Sequence, residues 1–220
     1  MIDLATVRNL TRLVRHKAMT KHLRAGAWKT VGTYERQVWR DVRDLYNGEI
    51  DEFAFVDNFN GYIDNQFSRA WREGARDAGV DPRDFTDADL DRLAERIEQE
   101  QGFMLQLADD ILAAREEGKP PLESFKARAS AYANRYTDMV NEARLYFTAA
   151  GDRLEWIVGP TEHCTTCAGL NGVVATSKEW EESGYRPQDY DSLECHGYNC
   201  KCQLVPTDKP RTRGGIPQGL

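Results

Sequence analysis

The chain has 220 residues, of which 40% are hydrophobic and 30% charged, an ordinary balance for a globular protein in water. No apolar run approaches the roughly 20 residues of a membrane helix, and residues 1–21 lack the apolar stretch of a secretory signal, so we expect synthesis in a reducing cytosol. The net charge of −7 argues against bulk attraction to nucleic acid.

Four amphipathic helices are predicted within residues 1–150, because apolar residues recur there at spacings of three and four. The first helix ends near Gly48 and the second before Pro82, since glycine and proline commonly follow a helix end. The apolar stripes of these two helices are Val31, Tyr34, Val38, Val42 and Leu45, and then Phe53, Val56, Phe59, Ile63, Phe67 and Trp71.

The third and fourth helices have clear start signals. Thr86 can cap a helix and Asp89 stands three residues on, as in a capping box, whereas Pro120 and Pro121 suit the first turn of the fourth helix. Their apolar stripes are Leu90, Leu93, Ile97, Met104, Leu107 and Ile111, and then Phe125, Ala129, Tyr132, Tyr136, Met139, Ala143 and Tyr146 or Phe147. Long amphipathic helices need one another to bury their apolar faces, so the sequence predicts a mainly α fold built on a helical bundle.

A different pattern begins at residue 151 and predicts a small α+β module in residues 151–208. Leu154, Trp156 and Val158 stand on one side of an extended run, which indicates a strand. Residues 170–173 (Leu-Asn-Gly-Val) predict a β-hairpin, because Asn-Gly tolerates the positive φ of a type I′ turn.

The remainder of the module is predicted to contain one short helix and a closing strand. Ser177 can cap the helix and Gly184 can end it, and residues 203–205 are typical of a strand, so the strands are expected to be short and antiparallel. Residues 209–220 have no core-forming pattern. We expect this tail to be flexible, or to order only on a partner.

All five cysteines of the chain lie in this module. They are Cys164, Cys167, Cys195, Cys200 and Cys202, arranged as Cys-x2-Cys and a later Cys-x4-Cys-x-Cys. Zinc takes four thiolate or imidazole ligands in a tetrahedron, and a Cys-x-x-Cys turn places two of them on one side of a tight loop. A segment of this size buries too little apolar area to fold firmly alone, so we predict a structural Zn²⁺ that closes it.

The identity of the four ligands stays open at this point. The preferred set is Cys164, Cys167 and Cys195 with one of Cys200 or Cys202. Alternatively, the sulfurs at 200 and 202 both point to one side of a strand and bind, and Cys195 is left out. His196 is the next candidate ligand, and His163 is expected to be a solvated neighbour. Five thiols are enough to saturate the ion, which favours a structural over a catalytic site.

Other cysteine chemistries fit the sequence less well. Disulfides suit an oxidising compartment, but the number of cysteines is odd and no secretory signal is recognised. A redox Cys-x-x-Cys is expected near a βαβ pattern, which the sequence does not show. A haem attachment motif needs histidine after its second cysteine, and position 168 is alanine.

Several features of this segment recur in a known order. They are Trp156-Ile157-Val158, residues 164–172 (Cys-Thr-Thr-Cys-Ala-Gly-Leu-Asn-Gly), residues 195–202 (Cys-His-Gly-Tyr-Asn-Cys-Lys-Cys) and Pro206. Together they resemble the phage Mu F-like minor head protein, or phage head morphogenesis, family. The resemblance covers roughly residues 120–208. The late element departs from the commoner His-Pro-x-Cys-x-Cys, so either Cys195 or His196 takes the place of the usual histidine.

The resemblance implies a structural role in a virus particle. Members of that family are low-copy capsid components that associate with the portal vertex and support head assembly or genome delivery. By this resemblance we expect the portal protein and capsid or scaffold proteins as partners, with packaged DNA as a further one. The expected location is the phage head, after assembly in the host cytoplasm. Neither a membrane nor a small-molecule substrate is expected.

Two other classes of function fit the sequence less well. A nucleic-acid-binding zinc module would use the basic residues of 8–48 with Arg211 and Arg213, but the acidic total and the few basic residues near the cysteines argue against it. A metalloenzyme would need an open metal position. The sequence has no Gly-x-Ser-x-Gly, phosphate-binding glycine loop or His-Glu-x-x-His, so we expect that the protein is not an enzyme.

Overall fold

The computed structural model of the protein describes residues 31–118, 122–160, 162–197 and 200–219. Within these residues the fold is mainly helical, with a small antiparallel sheet, which confirms the predicted class. The helices are α1 (Val31–Asn47), α2 (Glu52–Asp77), α3 (Asp87–Glu116), α4 (Leu122–Phe147), α5 (Thr165–Leu170) and α6 (Ser177–Ser183), with a 3₁₀ turn at Pro82–Asp84. The strands are β1 (Arg153–Ile157), β2 (Val174–Thr176) and β3 (Gln203–Pro206). No described helix is both long enough and apolar enough to cross a bilayer.

Helices α1 and α2 follow most of their predicted stripes, although Val56 of α2 is only half-buried. In α1, Tyr34 and the stripe that follows it are buried, and Gly48 ends the helix with a φ of 75°. In α2 the expected burial of Phe53 is wrong, because this side chain is 80% exposed. Phe55 is buried instead. It lies four residues before the buried Phe59, and so on the same helix face, whereas Phe53 is six residues away on another face.

Helix α3 begins with the predicted capping box. The backbone N–H of Asp89 donates to Thr86 Oγ1 at 3.3 Å, and the N–H of Thr86 donates to the Asp89 carboxylate at 2.7 Å. All six residues of the predicted stripe are buried. The start and the inward face of α3 are therefore both encoded locally.

Helix α4 buries its predicted face from Phe125 to Ala143. Of the two alternatives at its end, Tyr146 is 43% exposed and Phe147 is half-buried. Pro120, Pro121 and the side chain of Ala129 lie outside the described residues, as do the basic residues before Val31.

The chain divides into two compact units. One holds the described parts of residues 1–69 and 85–130, and the other those of residues 70–84 and 131–220. This division differs from the predicted boundary at residue 150, because the end of α2 and the second half of α4 belong with the cysteine-containing module. In the first unit, α1 and α3 are in contact.

The second unit begins with a close helix pair. At Gly74 of α2 an added Cβ would lie 2.5 Å from the Val140 carbonyl oxygen and 2.6 Å from Ala143 Cβ of α4, so only glycine permits this approach. Beside it, the guanidinium of Arg144 forms an ion pair with Asp77 at 2.7 Å.

The sheet of the second unit has the order β2-β1-β3, with antiparallel neighbours. Alternation along β1 buries Leu154 and Trp156, as the sequence predicts. The Trp156 ring lies 5.7 Å from that of Trp180 on α6, and Trp180 Nε1 donates to the Leu154 carbonyl at 3.0 Å. The core of the module is thus one sheet face covered by a short helix.

Two local predictions in this module are wrong. Asn171-Gly172 does not join two strands in a type I′ turn, because it follows helix α5 and precedes β2. Asn171 has φ −58° and ψ 124°, and only Gly172 has a positive φ, which fits a type II turn. Helix α6 is capped by Thr176 rather than Ser177, and Glu179 completes a capping box.

The tail, residues 209–220, forms contacts with the module, although the sequence predicts that it is flexible. The N–H of Thr212 donates to the Val174 carbonyl, and the N–H of Val174 donates to Thr212 Oγ1, both at 2.9 Å. Arg211 forms an ion pair with Glu179, and Ile216 packs against the core of the module. The tail therefore covers part of the outer edge of β2, where unpaired backbone groups would otherwise face solvent.

Candidate metal centre

The structure brings all five cysteines together. Their sulfurs form two groups of three, and within each group all sulfurs lie within 4.8 Å of one another. One group is Cys164, Cys167 and Cys195, and the other is Cys167, Cys200 and Cys202. Cys167 is common to both groups and is 1% exposed.

Helix α5 positions the Cys-x-x-Cys pair. Cys164 is the N-cap of the helix, and its sulfur accepts the N–H of Cys167 at 3.4 Å. Glu194 fixes this helix start against the chain that carries Cys195, because its carboxylate accepts the N–H of Thr165 at 2.8 Å. The sequence predicts a tight loop at this place, whereas the structure has a short helix whose N-cap is Cys164.

A tight turn positions Cys195. The N–H of His196 donates to the Leu193 carbonyl at 2.9 Å, and His196 and Gly197 have positive φ values of 48° and 71°. A Cβ on Gly197 would lie 2.2 Å from the Gln188 carbonyl oxygen. Glycine is therefore required here both by conformation and by the close approach of another backbone.

The Cys-x-Cys pair lies on the chain that leads into β3. Cys200 and Cys202 are 5% and 0% exposed. A Cβ on Gly159 would lie 2.4 Å from Lys201 Cβ, so this glycine lets the chain after β1 pass close to the pair. The ammonium of Lys201 donates to Asn134 of α4.

Hydrogen bonds between the thiols shift their pKa values. Bonds from Cys167 and Cys202 hold the pKa of Cys200 below its ordinary value, and donation to Cys200 raises the pKa of Cys167. Burial raises the pKa of Cys195 to about 11. Burial also raises the pKa of Cys164, but the N–H groups of Cys167 and Cys195 more than offset it. A bound divalent cation would displace the protons of the thiols that it binds.

The donor set fits a thiophilic metal ion. With metal–sulfur bonds of about 2.3 Å, the sulfurs of a tetrahedral site lie about 3.8 Å apart. Each group of three, with its sulfurs within 4.8 Å of one another, is close to that spacing, and a fourth ligand would come from the other group. The cysteines are free thiols in the structure. They are thus positioned to hold a metal ion, and soft sulfur ligands favour zinc, copper(I) or iron over hard cations.

The two histidines near the cysteines lie outside both sulfur groups. Among the described residues, only cysteines form such groups. The exposed ring of His196 stacks on Tyr190 at 4.7 Å, and its Nδ1 lies 2.9 Å from the Tyr190 carbonyl oxygen. Cys195, rather than His196, belongs to the same group of possible ligands as Cys164 and Cys167. His163 is exposed.

Sequence reasoning missed the polar residues that hold the cysteine loops. Gln188 and Asn141 are buried, and both donate to the Cys202 carbonyl. Asn141 lies on α4 and Gln188 follows α6, so their partners are distant in sequence. The only signal available was an unexplained asparagine beside the apolar stripe of α4.

Comparisons of the chain with models of known protein families, with curated proteins and with solved structures found no match. No relative therefore supports or contradicts the predicted resemblance to the minor head proteins. What is known of the site comes from the five sulfurs and the groups around them.

Proposed function

We propose that the protein is a structural component of a phage-like head, and that its cysteine module is folded around one Zn²⁺. The observation that carries the proposal is the convergence of five sulfurs from separate stretches of chain inside a small three-stranded module. The metal would join α5, the turn at Cys195 and the approach to β3. This makes it a structural ion in the sense of a zinc-organised module.

The number and burial of the sulfurs favour a structural site. The preferred ligands are Cys164, Cys167 and Cys195 with one of Cys200 or Cys202. Four of these thiolates would fill a tetrahedral shell and leave no position for a metal-bound water. For this reason we propose that the protein is not an enzyme.

The head assignment rests on the resemblance of the motif. The residues that carry it hold the module together: Trp156 is fully buried against Trp180, and Gly172 has a positive φ that the turn before β2 requires. These are structural roles rather than catalytic ones. We propose the portal protein and capsid or scaffold proteins as partners and the virion as the location.

Binding of nucleic acid is the second candidate function. Of the two tail cations that motivated it, Arg211 pairs with Glu179 within the module. The nearby Lys209 pairs with Glu155. We therefore rank it below the head assignment.

The metal is tested by elemental analysis of the full chain purified under reducing conditions. We expect one zinc per chain, and loss of that zinc in Cys167→Ser, which removes the sulfur common to both groups. Ser177→Ala is the matched control, because Ser177 is also buried in the module but donates to the Leu145 carbonyl. A metal-free wild-type chain whose module stays folded with chelator and reductant would overturn the metal proposal.

The head assignment is tested by co-expression of the tagged full chain with the portal and capsid proteins of the same genome. We expect the chain to co-purify with the portal and to be present in assembled particles. Absence from particles together with no portal binding would contradict the assignment, whatever the metal content.

A further inference from the structure

Gln188 is a buried amide in an uncommon backbone conformation. Its residue is 5% exposed and its φ is 62°, in the left-handed region that few residues other than glycine, asparagine and aspartate adopt. Gly197 packs directly against its carbonyl. A polar side chain held in this way must find hydrogen-bond partners inside the module, because burial without them is costly.

The partners of Gln188 are the two carbonyls of the Cys-x-Cys pair. Its Nε2 donates to the Cys202 carbonyl at 2.8 Å and to the Cys200 carbonyl at 3.1 Å. One amide nitrogen thus ties both peptide planes. Since the backbone orientation sets the direction of each Cα–Cβ bond, the same contact sets the point from which both sulfurs extend.

Asn141 of α4 orients this amide. Its Nδ2 donates to Gln188 Oε1 at 2.8 Å and to the Cys202 carbonyl at 3.2 Å. Its Oδ1 accepts the N–H of Leu204 in β3 at 3.1 Å. Because Gln188 Oε1 accepts from Asn141, the Nε2 of the same amide is turned toward the two cysteine carbonyls. The side-chain oxygen and nitrogen of both Gln188 and Asn141 thus have hydrogen-bond partners.

We propose that Gln188, oriented by Asn141, is the positioning residue that sets Cys200 and Cys202 in place for the metal ion; this inference rests on the metal centre proposed above. Groups outside the ligand shell that hold ligands in orientation commonly change metal affinity by 10- to 100-fold when removed. The structural alternative is that the pair only contributes hydrogen bonds to stability, with no selective effect on the ion.

The test uses Gln188→Asn in the full chain. Asparagine adopts the left-handed backbone more readily than glutamine, so the turn is kept, but its shorter side chain cannot bridge the two carbonyls. We expect the dissociation constant for Zn²⁺, measured by competition with a chromophoric chelator, to rise roughly 10- to 100-fold. Ser177→Ala, which removes one part-buried hydrogen bond away from the cysteine loops, is expected to bind zinc like the wild type. An unchanged affinity in Gln188→Asn overturns the proposal.

A second readout follows the sulfurs one by one. In the reduced, zinc-loaded chain, iodoacetamide labelling followed by mass spectrometry reports how firmly each sulfur is held. Gln188→Asn is expected to speed labelling of Cys200 and Cys202 without a matching change at Cys164. If the wild type binds no zinc, the metal proposal fails and the positioning role fails with it. If the wild type binds zinc and neither readout changes in Gln188→Asn, the positioning role fails alone.

Asn141→Asp provides an independent variant if Gln188→Asn does not fold. Aspartate keeps an acceptor for the Leu204 N–H but removes the donor to Gln188 Oε1 and to the Cys202 carbonyl. We expect weaker zinc binding and faster labelling of Cys202. Wild-type behaviour in both measurements overturns the proposal.

Discussion

Two glycines of helix α2 differ in their surroundings, although nothing in the sequence separates them. Gly74 faces the backbone of α4, where an added Cβ would lie 2.5 Å from the Val140 carbonyl oxygen. Gly61 has no atom within 4 Å of the same added atom. Glycine in a helix interior is unfavourable relative to alanine, so only the first of these glycines has a packing reason to be there.

The two alanine substitutions should therefore have opposite signs. Gly74→Ala is expected to destabilise the protein by about 1–3 kcal/mol, because the carbonyl it meets belongs to a helix backbone that cannot rotate away. Gly61→Ala is expected to stabilise it by about 0.5–1 kcal/mol. Urea unfolding of the two variants beside wild type measures both effects. Stabilisation by both substitutions would contradict the close approach of α2 and α4.

At the scale of elements, what could be predicted depends on how local the cause is. The stripe and capping box of α3 lie within one stretch of chain, and both were predictable. The type of the turn at Asn171-Gly172 was not predictable, because it depends on the helix before the turn rather than on the two residues alone. The error at Phe53 was avoidable, because Phe55 lies four residues before Phe59 and shares its helix face, whereas Phe53 does not.

The candidate site also combines features that could be predicted from the sequence with features that could not. The cysteine spacing predicted a common site, since residue type and clustering are visible in the sequence. Gln188 and Asn141 could not be found by that means, because they are 47 positions apart and act through backbone carbonyls that any residue offers. Contacts of this kind follow from the fold and leave no pattern in composition or spacing.

The edge of β2 gives a prediction at the same scale. Val174 is buried, and its N–H has Thr212 Oγ1 as acceptor. Thr212→Val keeps the shape of the side chain but removes that acceptor, so we expect a loss of about 1–3 kcal/mol. Thr207→Val is the control, because Thr207 accepts an N–H from Lys209 at an exposed place.

Thermal unfolding measures the loss, and size-exclusion chromatography reports self-association. An incompletely covered strand edge invites pairing with another chain, so Thr212→Val is also expected to self-associate more than wild type. Equal stability of Thr212→Val and Thr207→Val would show that the tail does not protect this edge.

Across the whole molecule, the proposed metal centre would give the two units different sources of stability. The first unit contains a large apolar core, with Phe55, Phe59 and Leu93 fully buried. In the second unit, Cys167, Cys200 and Cys202 belong to the hydrophobic core of the module itself. Sulfurs that bind a metal from within a core make that core depend on the ion, and structural zinc contributes on the order of 10 kcal/mol to small modules.

Removal of the metal should therefore act on one unit. With chelator and reductant present, hydrogen exchange followed by mass spectrometry is expected to show lost protection in residues 153–157 and 203–206, and in residues 131–147, whose Asn141 and Arg144 bond to β3. Residues 34–45 and 90–111 should keep theirs, since no cysteine lies in the first unit. Added zinc should restore the lost protection. Cys167→Ser should show the same loss of protection without chelator. Uniform loss along the chain would contradict a metal confined to the second unit, and unchanged protection everywhere would remove the reason to assign the ion a structural role.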